Sequence, residues 1–315
     1  MIRKFSVVLL MLYITTEICS AGKLTVESDS QEFKDSDKRI YLEGNVRVKT
    51  DDVSVVSPRA VVEVDPQKNK INKVEFKDNA YSHGVNNGKE HDVKAKILEM
   101  SLLNKVVSAE GNTISTISEN NVPVIIVTAN RQEYHKTENM MKAIGAVNIV
   151  YKDLNTFSND ALVYLNNKNE VKKIELIGNA KLKQGNSKIS ANKLTYDNIK
   201  NQAEAFGTVY TDVTTEDNKR LEVWSNYQFY DKALNFVTAS GNAKIKYEDY
   251  IATGPKVNVY SDNVTKKLNE AVFLGRSTIE TKGRTVSADR ITITMNPKDF
   301  KAEGSVKSVI PNFES

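Results

Sequence analysis

Few side chains in this chain have types and spacings that could do chemistry. There are three histidines, His83, His91 and His135. The first two flank a Gly/Asn-rich stretch, 84–88, and a metal would need further ligands at defined spacing, which do not recur. They are expected to be solvated loop residues, and no metal or cofactor is assigned. Carboxylates are many, but they fall in turns or on the outward phase of alternating segments. Asp160 and Asp289 share a recurrent position with Asn130, Asn192 and Asn226, so a turn role explains them better than acid–base work. A glycosidase-like carboxylate pair is the enzymatic alternative. Neither a Gly-x-Ser-x-Gly elbow nor a phosphate-binding loop occurs. No catalytic residue is assigned, and no enzymatic activity is expected.

The chain opens with Met1-Ile2-Arg3-Lys4, then an apolar run from Phe5 to Ile14, then Cys19-Ser20-Ala21. This order of basic, apolar and small residues is that of a secretory signal, with cleavage expected after Ala21. The run is short of the roughly 20 apolar residues that cross a bilayer. Lipid attachment at Cys19 is the alternative, disfavoured by the bulky Ile18 before it. Cleavage removes the only cysteine, so neither disulfides nor thiolate ligands are expected in the exported chain. The full chain carries a formal charge of +4. Both signs are spread evenly, without the single-sign field of nucleic-acid binders, and no nucleic-acid partner is expected.

The elements that must position any site come from a repeat. Gly44-Asn45-Val46-Arg47-Val48-Lys49 returns as Gly178-Asn179-Ala180-Lys181-Leu182-Lys183 and as Gly241-Asn242-Ala243-Lys244-Ile245-Lys246. Looser copies begin at Asp78, Gly111, Gly145, Gly207, Gly275 and Gly304. These nine copies stand 29–34 residues apart, a period that marks stacked units unable to bury their apolar faces alone. Each Gly-Asn is expected to open a turn and start a short strand. Ser28 to Lys38 is polar and expected as loop, and polar clusters such as 65–70 and 166–169 read as turns between strands. No segment sustains a helical period.

A second column lies within the longer segments, where a small residue precedes Asn, Asp or Gly: Ala129-Asn130, Ala191-Asn192, Ser225-Asn226, Thr253-Gly254 and Ala288-Asp289. In the first unit the column holds Pro58, which cannot join a ladder. Breaks in pairing are expected here, each bending a long strand from one sheet to another. Strict alternation sends Val46 and Val48, Val147 and Ile149, Ala180 and Leu182, and Ala243 and Ile245 inward. At about two rungs of ~4.8 Å per unit, the nine units predict a body on the order of 80 Å long. The outward lysines (Lys49, Lys181, Lys183, Lys244, Lys246) read as a solvated face that discourages edge pairing, or as contacts for phosphates or anionic sugars.

The Gly-Asn-Val/Ala-x-Val/Ile/Leu turns (Gly44 to Val48, Gly178 to Leu182) and the Ile-x-Ala-Asn-x-x-x-Tyr strands (Ile189 to Tyr196) resemble the OstA-like family of lipopolysaccharide-transport proteins, which includes LptA, LptC and the N-terminal domain of LptD. The resemblance covers essentially all of residues 22–315. It implies an all-β, elongated, open β-jellyroll whose inner face takes lipid A acyl chains, working in the periplasm between inner and outer membranes. Lipopolysaccharide or a related glycolipid is the implied ligand. LptC-like and LptD-like jellyrolls are the implied partners, met through edge strands at Leu24 to Val26 and Val306 to Ile310, with end-to-end self-association. The implied apolar lining is Val46, Val48, Val147, Ile149, Ala180, Leu182, Ile189, Leu194, Val209 and Ile245. The shorter interval between Asn179 and Thr208 allows two fused modules with a break near 175–210. Without a Pro/Gly/Ser-rich linker there, one continuous roll is expected.

The inward aliphatics fit a filled core as well as an open groove, since both need apolar inner faces. The resemblance favours the groove. A structural or adhesive β-solenoid with a filled core is the second reading, and a β-helical enzyme acting on polysaccharides the third.

Overall fold

The computed structural model describes residues 25–49, 53–65, 70–86, 89–135, 137–151, 154–166, 171–214, 218–262, 268–295 and 297–310. The signal segment, its cleavage site, Cys19, Leu24 and the turns at 66–69 and 167–170 lie outside them. The described residues are β-strand and turn throughout, without helix. The chain divides between Ile174 and Glu175 into two compact units, within a strand.

The first unit begins with β1 (Thr25–Glu27), β2 (Ser30–Lys34), β3 (Arg39–Lys49), β4 (Val53–Asp65), β5 (Lys70–Lys77) and β6 (Ala80–Asn86). It continues with β7 (Lys89–Ala95), β8 (Ile97–Ser101), β9 (Val106–Glu119), β10 (Val122–His135), β11 (Met140–Tyr151) and β12 (Leu154–Leu165). β13 (Val171–Gln184) spans the division. The second unit holds β14 (Ser187–Asp197), β15 (Gln202–Thr214), β16 (Arg220–Asp231), β17 (Phe236–Tyr247) and β18 (Tyr250–Ser261). It ends with β19 (Leu268–Thr281), β20 (Arg284–Met295), β21 (Lys298–Glu303) and β22 (Lys307–Val309). From β9 to β12 and from β14 to β20, consecutive strands pair antiparallel, as hairpins.

The bends explain how one meander makes two layers. β4 pairs with β6 through Val53–Val56 and with β5 from Arg59 onward, and Pro58, which has no N–H to donate, stands at the break. β5 goes on to β8 and β6 to β7, and both β7 and β8 return to β9, on either side of Gly111. Every long strand thus gives one half to each layer. In the second unit the same breaks recur as register shifts between Phe206 and Val209, Trp224 and Tyr227, and Ser240 and Ala243.

Three sequence expectations are corrected. Gly-Asn does not start a strand: Gly44-Asn45, Gly111-Asn112, Gly178-Asn179 and Gly241-Asn242 lie inside β3, β9, β13 and β17, both residues at positive φ. Two successive left-handed residues turn the strand sharply, and Gly and Asn are the types that tolerate this. Nor are the two columns separate devices. The side chain of Asn130 lies against Gly145, that of Asn192 against Gly207 and that of Asn226 against Gly241, each fifteen positions earlier in the chain. Finally, 28–38 is not all loop, because Ser30–Lys34 pairs with β3. Asp29 fills the column there: its N–H donates to the Gly44 carbonyl at 2.9 Å, and its carboxylate accepts from Asn45 Nδ2 at 2.9 Å.

Alternation along each half-strand supplies the cores. In the first unit Val46, Val53, Val55, Val93 and Ile117 meet Leu42, Phe76, Leu98, Met100, Val107 and Tyr134. In the second unit the cluster is built on Ile245, Val257, Phe273, Ile279, Ile291 and Ile293 together with five alanines: Ala239, Ala243, Ala252, Ala271 and Ala288.

Candidate functional site

Small side chains on facing layers leave space between them, because a sheet pair separated by about 10 Å is filled only if its side chains reach the middle. Where the alanines cluster, the second unit encloses a cavity of about 160 Å³. One wall comes from the layer carrying Val213, Leu221, Val223, Ile245, Tyr247 and Ala252. The other comes from Val237, Ala239, Val257, Val259, Ala271, Phe273, Ile293 and Met295. The walls are almost wholly aliphatic and aromatic. An apolar cavity of about this size stays dry and admits guests of benzene size.

Two polar features interrupt the lining. Inside, Thr211 Oγ1 donates to Gln228 Oε1 at 2.7 Å. At the rim stands Lys298, whose ammonium lies 4.5 Å from the centre of the Tyr250 ring and pairs with Glu248. Glu248 also binds Lys219 at 2.8 Å. It sits in the tight turn joining β17 to β18, whereas Lys298 begins β21 in the other layer, so the pair crosses from layer to layer beside the cavity. Hydrogen bonds from Lys219 and then Lys298 hold the Glu248 carboxyl below its ordinary range. Glu248 thus bridges two ammonium groups, Lys219 and Lys298.

The residues expected to line a groove are placed as follows. Val46 and Val48 are buried in the core of the first unit, with Ile149 packed against it. Val147, Ala180, Leu194 and Val209 are buried, and Leu182 and Ile189 are half-buried. Of the ten, Ile245 lines the cavity. Sequence reasoning missed most of the cavity wall, Gln228 and Lys298 included. Its alanines, Ala239, Ala252 and Ala271, stand on three separate strands, so no local pattern marked the cavity.

The histidines differ from expectation. His83 and His91 are strand residues facing each other's neighbours across β6 and β7, not solvated loop residues. His91 is 4 % exposed, and burial pushes its pKa down. His83 Nδ1 lies 3.0 Å from Asp92 Oδ1, the oxygen that also accepts from the Tyr81 hydroxyl. His135 Nε2 lies 2.9 Å from Glu133. Among the described residues no three potential ligands converge on a metal position.

With this geometry in view, the model of the family described as LptA/(LptD N-terminal domain) LPS transport protein matches residues 25–123 and 165–299. The chain belongs to this family. Among solved structures, the chain is similar to LptH from Pseudomonas aeruginosa, described as the LptA-homologous periplasmic component of the conserved lipopolysaccharide transport device. The identity is 14% and the TM-score 0.27, over 50% of this chain and 94% of that chain. No curated protein shows a significant match. The two stretches matched by the family model fall one in each compact unit, except for residues 165–174.

Proposed function

We propose that this chain is a non-enzymatic carrier of lipopolysaccharide or a related glycolipid in the periplasm. Acyl chains lie between the two layers, and the anionic head stays near Lys219 and Lys298. The observation that carries this reading is the apolar cavity walled by both layers, with the Lys298 ammonium at its rim. Family membership supports it. Burial of methylenes is worth about 0.8 kcal/mol each and is non-directional, so many near-equal positions along the lining favour movement over trapping.

Partner contacts would use the strands at the two ends. Among the described residues β1 and β2 pair only with β3, and β21 and β22 only with β20. Phe33 on β2, Phe300 on β21 and Val309 on β22 are exposed. Such edges accept a further strand, here from LptC-like and LptD-like jellyrolls or from a second copy.

A photo-crosslinking amino acid at Ile245 or Val259 tests the reading, with Lys244 as the outward control. Lipopolysaccharide adducts are expected from the two inward positions. Adducts from Lys244 alone would overturn it.

A further inference from the structure

Gln228 and Gln132 are the same position of the repeat, each two residues beyond its bend asparagine, Asn226 or Asn130. Their neighbourhoods correspond residue for residue, 96 positions apart. Gln132 pairs in register with Ala109 and Gln228 with Ala205, while Ser115 pairs with Val127 and Thr211 with Val223. Both glutamines are at least nine-tenths buried.

In the first unit the amide is fully used. Ser115 Oγ donates to Gln132 Oε1 at 2.8 Å, and Gln132 Nε2 donates to Thr113 Oγ1 at 2.8 Å and to the Val127 carbonyl at 3.3 Å. In the second unit half of this survives: Thr211 stands for Ser115 and donates to Gln228 Oε1 at 2.7 Å. The counterpart of Thr113 is Val209, whose side chain has no atom that can accept. Gln228 Nε2 has no hydrogen-bond partner among the described residues, and Gln228 lines the cavity. Of the two glutamines, the one whose unit lost the side-chain acceptor is therefore the one that lines the cavity.

We infer that Gln228 is a specificity-determining residue that reads an oxygen, a hydroxyl above all, on the acyl chain held in this cavity. The inference rests on the proposed acyl-chain reading of the cavity. A buried amide N–H without an acceptor is unfavourable, and a ligand oxygen relieves it. A hydroxyl both accepts and donates, so it satisfies the amide in either of its two orientations. An unsubstituted chain satisfies it in neither. Thr211 is already bonded to Gln228 and Lys298 stands at the rim, so the Gln228 amide is the group inside the cavity that would tell two chains of equal length apart.

The test is displacement of a fluorescent fatty acid from the full-length protein by octadecanoate, 3-hydroxyoctadecanoate and 12-hydroxyoctadecanoate. At least one hydroxy acid is expected to bind about fivefold to tenfold more tightly than octadecanoate, the span of one hydrogen bond. Two variants should erase that ratio from opposite directions. Gln228→Leu removes the amide, and Val209→Thr restores the internal acceptor of the first unit. Equal binding of all three acids by the wild type, or a ratio that survives in both variants, would overturn the inference while leaving acyl binding intact. Failure of every acid to displace the probe would overturn the acyl reading itself and this inference with it.

Discussion

The Asn226 side chain occupies the space that a side chain on Gly241 would need. A Cβ added to Gly241 would stand 2.8 Å from the Asn226 Cβ, and Gly241 has a φ of +74°. Two separate penalties therefore fall on Gly241→Ala. The left-handed backbone disfavours any L side chain by about 1–2 kcal/mol, and the asparagine must shift as well. Gly185 supplies the control, at φ +52° with nothing within 4 Å. Gly185→Ala is expected to lose about 1 kcal/mol, and Gly241→Ala about 2–3 kcal/mol, in urea unfolding. Equal losses would show that the packing of the two columns contributes nothing.

That relationship also marks how far the sequence could be read. Period-two alternation around Val46, Val147 and Ile245 was enough to find the strands and their buried faces, because burial on one face forces that pattern. The column at Asn226 was visible as a break in pairing, whereas the column at Gly241 suggested only a turn that opens a strand. Their contact was not visible, since it joins residues fifteen apart across a hairpin whose register depends on turn chemistry. The cavity was less legible still. Ala239, Ala252 and Ala271 are inward residues like any others in sequence, and they make a void only because both layers place small side chains at one level. Lys298 and Glu248, fifty positions apart, come together only once the strands are stacked.

Gln132 ties the two layers of the first unit together through Ser115, Thr113 and the Val127 carbonyl. Gln132→Ala strips partners from buried hydroxyls and leaves a cavity, and should lose about 2–3 kcal/mol. Gln228→Ala removes one hydrogen bond from a side chain whose Nε2 is already without a partner, and should lose less than about 1 kcal/mol. Chemical denaturation of both variants checks the difference. Equal losses would deny the first-unit network its structural role.

His91 should give the protein an acid-sensitive step. Burial lowers its pKa from the ordinary value of 6.5, with Lys89 and His83 acting in the same direction and Asp92 opposing. The unfolded chain therefore takes up a proton near 6.5, while the folded chain does so only at lower pH. Stability is unaffected by this group above about pH 7 and falls as the pH drops below 6.5, until the folded pKa is reached. The urea midpoint is expected to decline between pH 7.5 and 5.5, with a shallower slope in His91→Leu. An unchanged slope in the variant would assign the decline to other groups.

The ion pair between Lys298 and Glu248 joins the layers beside the cavity, and both side chains keep contact with water. An anionic head that reaches Lys298 must compete with Glu248, so the two residues should act in opposite directions on binding. Displacement by tetradecyl phosphate separates them, with tetradecanol as the uncharged reference. Lys298→Glu is expected to weaken the phosphate severalfold and leave the alcohol unchanged. Glu248→Gln should strengthen the phosphate, because it removes the carboxylate that competes for Lys298. Acid should mimic Glu248→Gln. The Glu248 pKa is depressed by the two lysines, so the carboxylate persists to below the usual glutamate range and releases them only under that range. High salt should narrow the gap between phosphate and alcohol, as it does for any partly exposed charge pair. If both substitutions shift the phosphate the same way, Glu248 does not compete for the lysines.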